Sequence, residues 1–327
     1  MKRLAVLFTI LAVLAAALLL LLPKGTQKRQ PDAEHQIILG FSQLGSESGW
    51  RIGNTRSVIA AAERAGVQLM FKNAEQKQEN QIDAIRSFIA YQVDVIAFAP
   101  IVEDGWDNVL REAKDAGIPV ICSDRSVTLE DESLITGFVG SDFYQEGVRA
   151  GEYLIKKIAG VTGPVRIAEI SGTLDSTPMR DRAQGFRDTI EKDARCQVVY
   201  SESGDFLRSK GKEVMVDVLA TAGEVDVLYS HNDSMTLGAI ETIEQHGIVP
   251  GKDIIIISVD GEQGAIDLLK QGKINCVVEC TPMLGDVIMT LARRLAQGET
   301  IDRVTYSQET VFTDFDEDML SIPPRGY

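Results

Sequence analysis

Along the chain, short unbroken apolar runs alternate with segments whose apolar residues recur at helical spacing. Ile37-Ile38-Leu39-Gly40-Phe41 is one such run, bounded by a polar loop, and it reads as a parallel strand covered on both faces. A helix over about 54–65 follows, stopped at Gly66, and 67–71 is the next strand. Over 79–91, Ile82, Ile85 and Ile89 fall at i, i+3 and i+7, which is one face of a helix. Strands at 93–99 and 119–122 flank a helix at 104–116 closed by Gly117. The pattern restarts with a strand at 165–170 and a helix at 179–192. Two stretches then rhyme. Val93-Asp94-Val95-Ile96 leads through a helix to AGIPVICSDR (116–125), and Val225-Asp226-Val227-Leu228 leads through another to GIVPGKDIIIISVDGE (247–262). Asp94 to Asp124 is 30 residues and Asp226 to Asp260 is 34; each stretch ends in an Asp straight after a strand. The pattern predicts an α/β chain of two doubly wound, Rossmann-like lobes with parallel sheets. Ligands in such sheets sit beyond the carboxyl ends of the strands, so the two Asp residues mark facing rims.

The first thirty residues do not follow this pattern. Met1-Lys2-Arg3 is cationic, residues 4–22 carry no charge and only Thr9 is polar, and Pro23-Lys24 ends the run. Nineteen residues at ~1.5 Å each span about 28 Å, a bilayer's hydrocarbon core. This is a targeting segment, either an uncleaved signal anchor or a cleaved signal peptide. Both readings place the body at the periplasmic or extracellular face. No cysteine for lipid attachment follows, and 24–34 reads as a tether.

Composition narrows the function. The 327 residues are 44% apolar and 25% charged, those of a globular chain of about two domains. Net charge is −15; all five bases of residues 1–30 precede the first acid, which leaves 28 bases against 48 acids, net −20. Sequence-independent nucleic-acid binding needs the opposite sign. Four cysteines without C-x-x-C spacing and three histidines argue against a structural zinc site. No phosphate-binding glycine loop is present, and Gly45-Ser46-Glu47-Ser48-Gly49 has Glu47 where a nucleophile elbow needs serine. The reading is therefore a binding protein, not an enzyme, with no cofactor or metal. The acidic segment 313–318 reads as a solvated tail, since Met319 falls where an EF-hand loop needs glycine.

The candidate chemistry lies at strand ends. After the first strand come Glu47, Ser48, Trp50 and Arg51 in a Gly/Ser-rich loop; Asp124-Arg125 follows the fourth strand; Arg180-Asp181-Arg182 opens a helix; Asn232 and Asp260 follow strands of the second half. Carboxylates accept hydroxyl protons, arginine forks donate, asparagine does both, and an indole face covers the C–H side of a sugar. That is the inventory for a polyhydroxylated ligand. The cysteines read as free thiols, since Cys276 and Cys280 on one strand would stand about 13 Å apart.

Longer strings carry a resemblance. GFSQLGSESGWR (40–51), QKQENQIDAIRSF (76–88), APIVEDGW (99–106), SDRSV (123–127), SGDFLRSKGKEVM (203–215), HND (231–233) and the closing Gly326-Tyr327 resemble the type I periplasmic sugar-binding proteins of ABC importers, and within them the galactofuranose-binding branch. The resemblance implies the periplasmic-binding-protein-like type I fold, two lobes joined by three hinge crossings, with residues 31–140 and 279–302 in one lobe and 141–278 and 303–327 in the other. It implies a monosaccharide ligand, a furanose such as galactofuranose, held between closing lobes and delivered by a monomer to an ABC permease. The alternative use of the same lobes is a sugar-sensing module for a signalling receptor. The resemblance implies ligand roles for Glu47, Trp50, Arg51, Asp124, Arg125, Arg182, Asn232 and Asp260, and Phe206 matches the second-lobe aromatic. Arg180 and Arg182 both fit the family's arginine.

Overall fold

The computed structural model describes residues 36–327. The apolar run 4–22 and the tether 24–34 lie outside the described residues. In chain order the elements are β1 (Ile38–Gln43), α1 (Gly49–Ala65), β2 (Gln68–Asn73), α2 (Gln78–Tyr91), β3 (Val95–Phe98), α3 (Asp107–Asp115), β4 (Val120–Ser123), β5 (Gly137–Gly140), α4 (Phe143–Lys157), β6 (Val165–Ser171), α5 (Thr177–Ile190), β7 (Cys196–Ser203), α6 (Arg208–Thr221), β8 (Val227–Ser230), α7 (Asp233–Gln245), β9 (Ile255–Asp260), α8 (Gln263–Lys270), β10 (Cys276–Glu279), α9 (Gly285–Ala296), β11 (Val304–Tyr306) and β12 (Val311–Thr313).

These strands form two six-stranded sheets, ordered β11-β5-β4-β3-β1-β2 and β12-β10-β9-β8-β6-β7. The orders superpose strand for strand, which accounts for the rhyme in the sequence. Asp94 accepts the Ile38 backbone N–H at 2.8 Å, and Asp226 accepts that of Arg166 at 2.7 Å. The same carboxylate pins the start of the first strand in each sheet. β4 and β9 occupy equivalent places, so Asp124 and Asp260 stand at matching rims. Central strands such as β3, β4 and β8 are buried along their whole length, as parallel strands with helices on both faces must be.

The chain passes between the sheets three times, at 141–142, 280–284 and 307–310. Two positions differ from the expected division. Glu279 still pairs with Asp260 in the second sheet. Val304–Tyr306, expected with the second lobe, pairs parallel with β5 in the first; the free edge of β5 takes up this short strand before the chain returns. The segment 313–318 is not simply solvated. Asp314 accepts from the Tyr153 hydroxyl at 2.9 Å and from Asn275 Nδ2 at 2.9 Å, with the Lys157 ammonium beside it. All four cysteines are free, three of them buried and Cys196 half-buried. Among the described residues no helix is long and apolar enough to cross a membrane.

Candidate functional site

The loop after β1 places the first group. It was expected to remain irregular to residue 54, but α1 begins at Gly49 because Ser48 caps it, its hydroxyl accepting the Arg51 N–H at 3.1 Å. Trp50 and Arg51 therefore lie in the first turn of a helix, and both are buried. Glu47 bonds Arg51 Nε at 2.9 Å, and Arg51 reaches Asp124 at 2.6 Å. Burial weakens the Arg51 charge, but Asp124 and Glu47 more than offset it, so its pKa is held above the usual arginine range. Arg125 donates to the Ile101 carbonyl at 3.0 Å. Burial, with Arg51 nearby, pulls its pKa down to about 10.

The second sheet supplies the opposing wall. Arg182, on α5, donates from Nε to Glu146 at 2.6 Å and from its fork to the His231 carbonyl at 2.6 Å, and it stands 3.8 Å from Asp260. It can reach them because α4 and α5 touch backbone to backbone: a Cβ on Gly147 would lie 2.2 Å from the Arg182 carbonyl oxygen. Asn232 caps α7 by accepting the Met235 N–H at 2.9 Å, and its amide donates to the Phe206 carbonyl at 3.3 Å. Asp260, at the end of β9, has its pKa pushed well above the carboxylate range by burial, with Arg182 opposing. Asp233 accepts the Gly261 and Glu262 N–H groups at 2.7 and 2.6 Å and so fixes the turn that presents Asp260.

The two walls meet in one cleft. Glu47, Ser48, Trp50, Arg51, Asp124, Arg125, Arg182, Phe206, Asn232 and Asp260 all line it, joined by Pro178 and Cys280. Water-sized space inside is about 30 Å³, room for about two waters, so the lobes are drawn together around it. Arg125 lies over the Phe206 ring at 5.3 Å across the gap. The Trp50 indole N–H donates to the Cys280 carbonyl at 2.7 Å and ties the first-lobe aromatic to the second crossing. Three carboxyls thus face three guanidiniums. Two buried atoms here, Glu47 Oε2 and Arg125 Nε, have no hydrogen-bond partner; such groups in a folded core call for an explanation. Asp124, Phe206 and Asp260 also have positive φ, at 65°, 61° and 123°. Strain of this kind in non-glycine residues clusters where a ligand is held.

Arg180 is not part of this cleft. It bonds Asp181 and Glu103 and borders a wider cavity of about 420 Å³ beside the crossings, lined by residues such as Thr128, Phe138, Thr177 and Tyr306. Of that cavity's polar lining only Ser141 and Thr177 are buried, whereas the smaller cleft gathers buried polar side chains from both sheets and is the candidate site. Behind the cleft, Glu146, Cys280 and Glu309 come within 4.8 Å of one another. Arg182 holds Glu146, while Ser141 and the Thr281 N–H hold Glu309, so this group knits the crossings together. Sequence reasoning missed it because Glu146 sits in a helical pattern where an acid ordinarily faces solvent.

A chain of two pseudo-equivalent sheets, parallel but for the antiparallel edge strand β12, crossed three times and closing on a polar cleft, has the architecture of the type I binding proteins. Residues 39–300 match the periplasmic binding protein domain family, and the chain belongs to it. It is 40% identical over 280 residues to the galactofuranose-binding protein YtfQ of Escherichia coli K12, covering 84% of this chain and 87% of that one. A Mycobacterium smegmatis structure in complex with β-D-fucofuranose is 45% identical, with a TM-score of 0.86 over 88% of this chain and 95% of its own. The periplasmic binding component of the arabinose ABC transporter from Shewanella sp. ANA-3, bound to α- and β-L-arabinofuranose, is 42% identical, with a TM-score of 0.83 over 87% and 93%.

Proposed function

We propose that this chain is an extracytoplasmic solute-binding protein that captures a neutral furanose between its lobes and delivers it to an ABC permease. The observation that carries this reading is the convergence of ten polar and aromatic residues from both sheets on one cleft, nine of them buried, with Glu47 Oε2 and Arg125 Nε lacking partners. A sugar's hydroxyls donate to the first and accept from the second, removing the cost of about 1–3 kcal/mol that each such atom carries. Each guanidinium in the cleft already has a partner, Arg51 in Asp124, Arg182 in Glu146 and Arg125 in the Ile101 carbonyl, which suits an uncharged ligand. Trp50 and Phe206 cover its C–H faces. Glu47, Ser48, Arg51, Asp124 and Arg125 hold it from the first lobe, and Arg182, Asn232 and Asp260 from the second. The furanose is favoured over the pyranose by the relatives: YtfQ is named for galactofuranose, and both solved structures hold five-membered rings. The protein works as a monomer at the outer face of the membrane, where residues 4–22 deliver it. A thermal-shift and calorimetry panel of L-arabinose, D-galactose, D-fucose, D-ribose and D-glucose tests this. Sugars that populate furanose rings stabilise the protein and glucose does not; a flat response across the panel overturns the proposal.

A further inference from the structure

Direct contacts between the lobes flank the cleft on two sides, and none of their side chains lines it. On one lip, Glu103 of the first lobe, in the loop after β3, meets Arg180 of α5. Arg180 is aimed by its neighbour: Asp181 takes Nε at 2.8 Å and the second fork nitrogen at 3.2 Å, leaving the other nitrogen for Glu103. Thr128 adds its hydroxyl to the same Glu103 oxygen at 3.3 Å. The backbone N–H of Glu103 donates across the gap to the Asp175 carbonyl at 3.0 Å, and that of Ser126 to the Thr177 hydroxyl at 3.2 Å. On the other lip, Glu262 of the second lobe accepts the Trp50 N–H at 2.9 Å and the Ser234 hydroxyl at 3.2 Å. A carboxylate is thereby set at the N-terminus of α1, where the helix dipole favours it.

We propose that Arg180 and Glu262 are positioning residues: they set sugar affinity and release rate by holding the lobes together, without touching the sugar. A contact made only in the closed state adds its free energy to the closed side of the hinge equilibrium. The closed fraction then scales the apparent affinity of any ligand that needs closure. The Glu103–Arg180 pair is half-exposed on the arginine side, so it acts as a trim on the equilibrium and leaves the lobes free to part.

The inference rests on the furanose reading, and the test separates the two. Wild type, Glu103→Arg, Arg180→Glu and the double exchange are made in the full chain, together with Glu262→Ala. One readout is L-arabinose dissociation followed by tryptophan fluorescence. The other is lobe separation without sugar, from a pair of dyes placed one on each lobe. Each single variant raises the dissociation rate by up to roughly fivefold, the scale of a partly exposed pair. Each also lengthens the sugar-free separation, while the double exchange restores both values. Single variants that leave both readouts at wild type overturn the proposal, and so does a double exchange that compounds the loss. If no sugar of the panel binds wild type, the furanose reading falls, and the sugar-free separation still decides the lip contacts; if another panel sugar binds in place of L-arabinose, it serves as the probe.

Discussion

At the residue scale the cleft depends on side chains held in backbone conformations they do not prefer. Phe206 is an example. Its φ is 61°, and a Cβ on Gly172 would lie 1.9 Å from the tip of its ring. The ring is presented to the cleft only because position 172 has no side chain. Gly172→Ala is therefore expected to displace Phe206 and weaken sugar binding by up to roughly tenfold, the worth of one aromatic face. Titration by calorimetry beside a melting curve checks it: unchanged affinity in a folded variant would remove Phe206 from the ligand's surroundings. The strand-end Asp residues were legible in the sequence because an apolar run that stops abruptly at a polar group marks a strand's carboxyl end. The choice between Arg180 and Arg182 was not. Both lie in one short charged segment, and only the close approach of α4 turns Arg182 inward to Glu146 while Arg180 faces the other lobe.

At the scale of elements, the three crossings converge on one half-buried acid. Glu309, in the third, is held by Ser141 of the first, the Thr281 N–H of the second at 3.0 Å, and Ser307 of its own segment at 3.0 Å. Burial, then the nearby Glu146, pushes its pKa up to about 8. Arg182 is the cation facing this pair, through Glu146, and the Cys280 thiol lies within 3.3 Å of Ser141. A carboxyl whose folded pKa is raised gives a stabilisation that is complete below its unfolded value of about 4.5. That stabilisation is lost as pH climbs through about 8. Melting temperature should therefore fall between pH 5 and pH 9 more steeply in wild type than in Glu309→Gln, which stays neutral and keeps the hydrogen bonds. Parallel profiles would mean that Glu309 is ionised in the native hinge. None of this was readable from sequence, because the three crossings lie far apart along the chain and meet only in the fold. The start of α1 escaped for a local reason: glycines at 45 and 49 suggest a loop, and the cap at Ser48 outweighs them.

For the whole molecule, the repeated strand order was legible because buried parallel strands leave continuous apolar runs. The place of β11 was not, since a three-residue strand of exposed and half-buried residues carries no pattern of its own. The repetition gives two rims that face each other, with charge-paired walls and contacts at both lips. A ligand bonded to both walls stabilises only the closed arrangement, so binding and closure are one equilibrium. Small-angle scattering on the full chain, with and without a saturating furanose-forming sugar such as L-arabinose, measures that coupling directly. The account predicts a smaller radius of gyration with sugar, and a partial return toward the open value in Arg182→Ala at the same sugar concentration. Saturating sugar that binds by calorimetry and leaves the radius of gyration unchanged would contradict capture by closure.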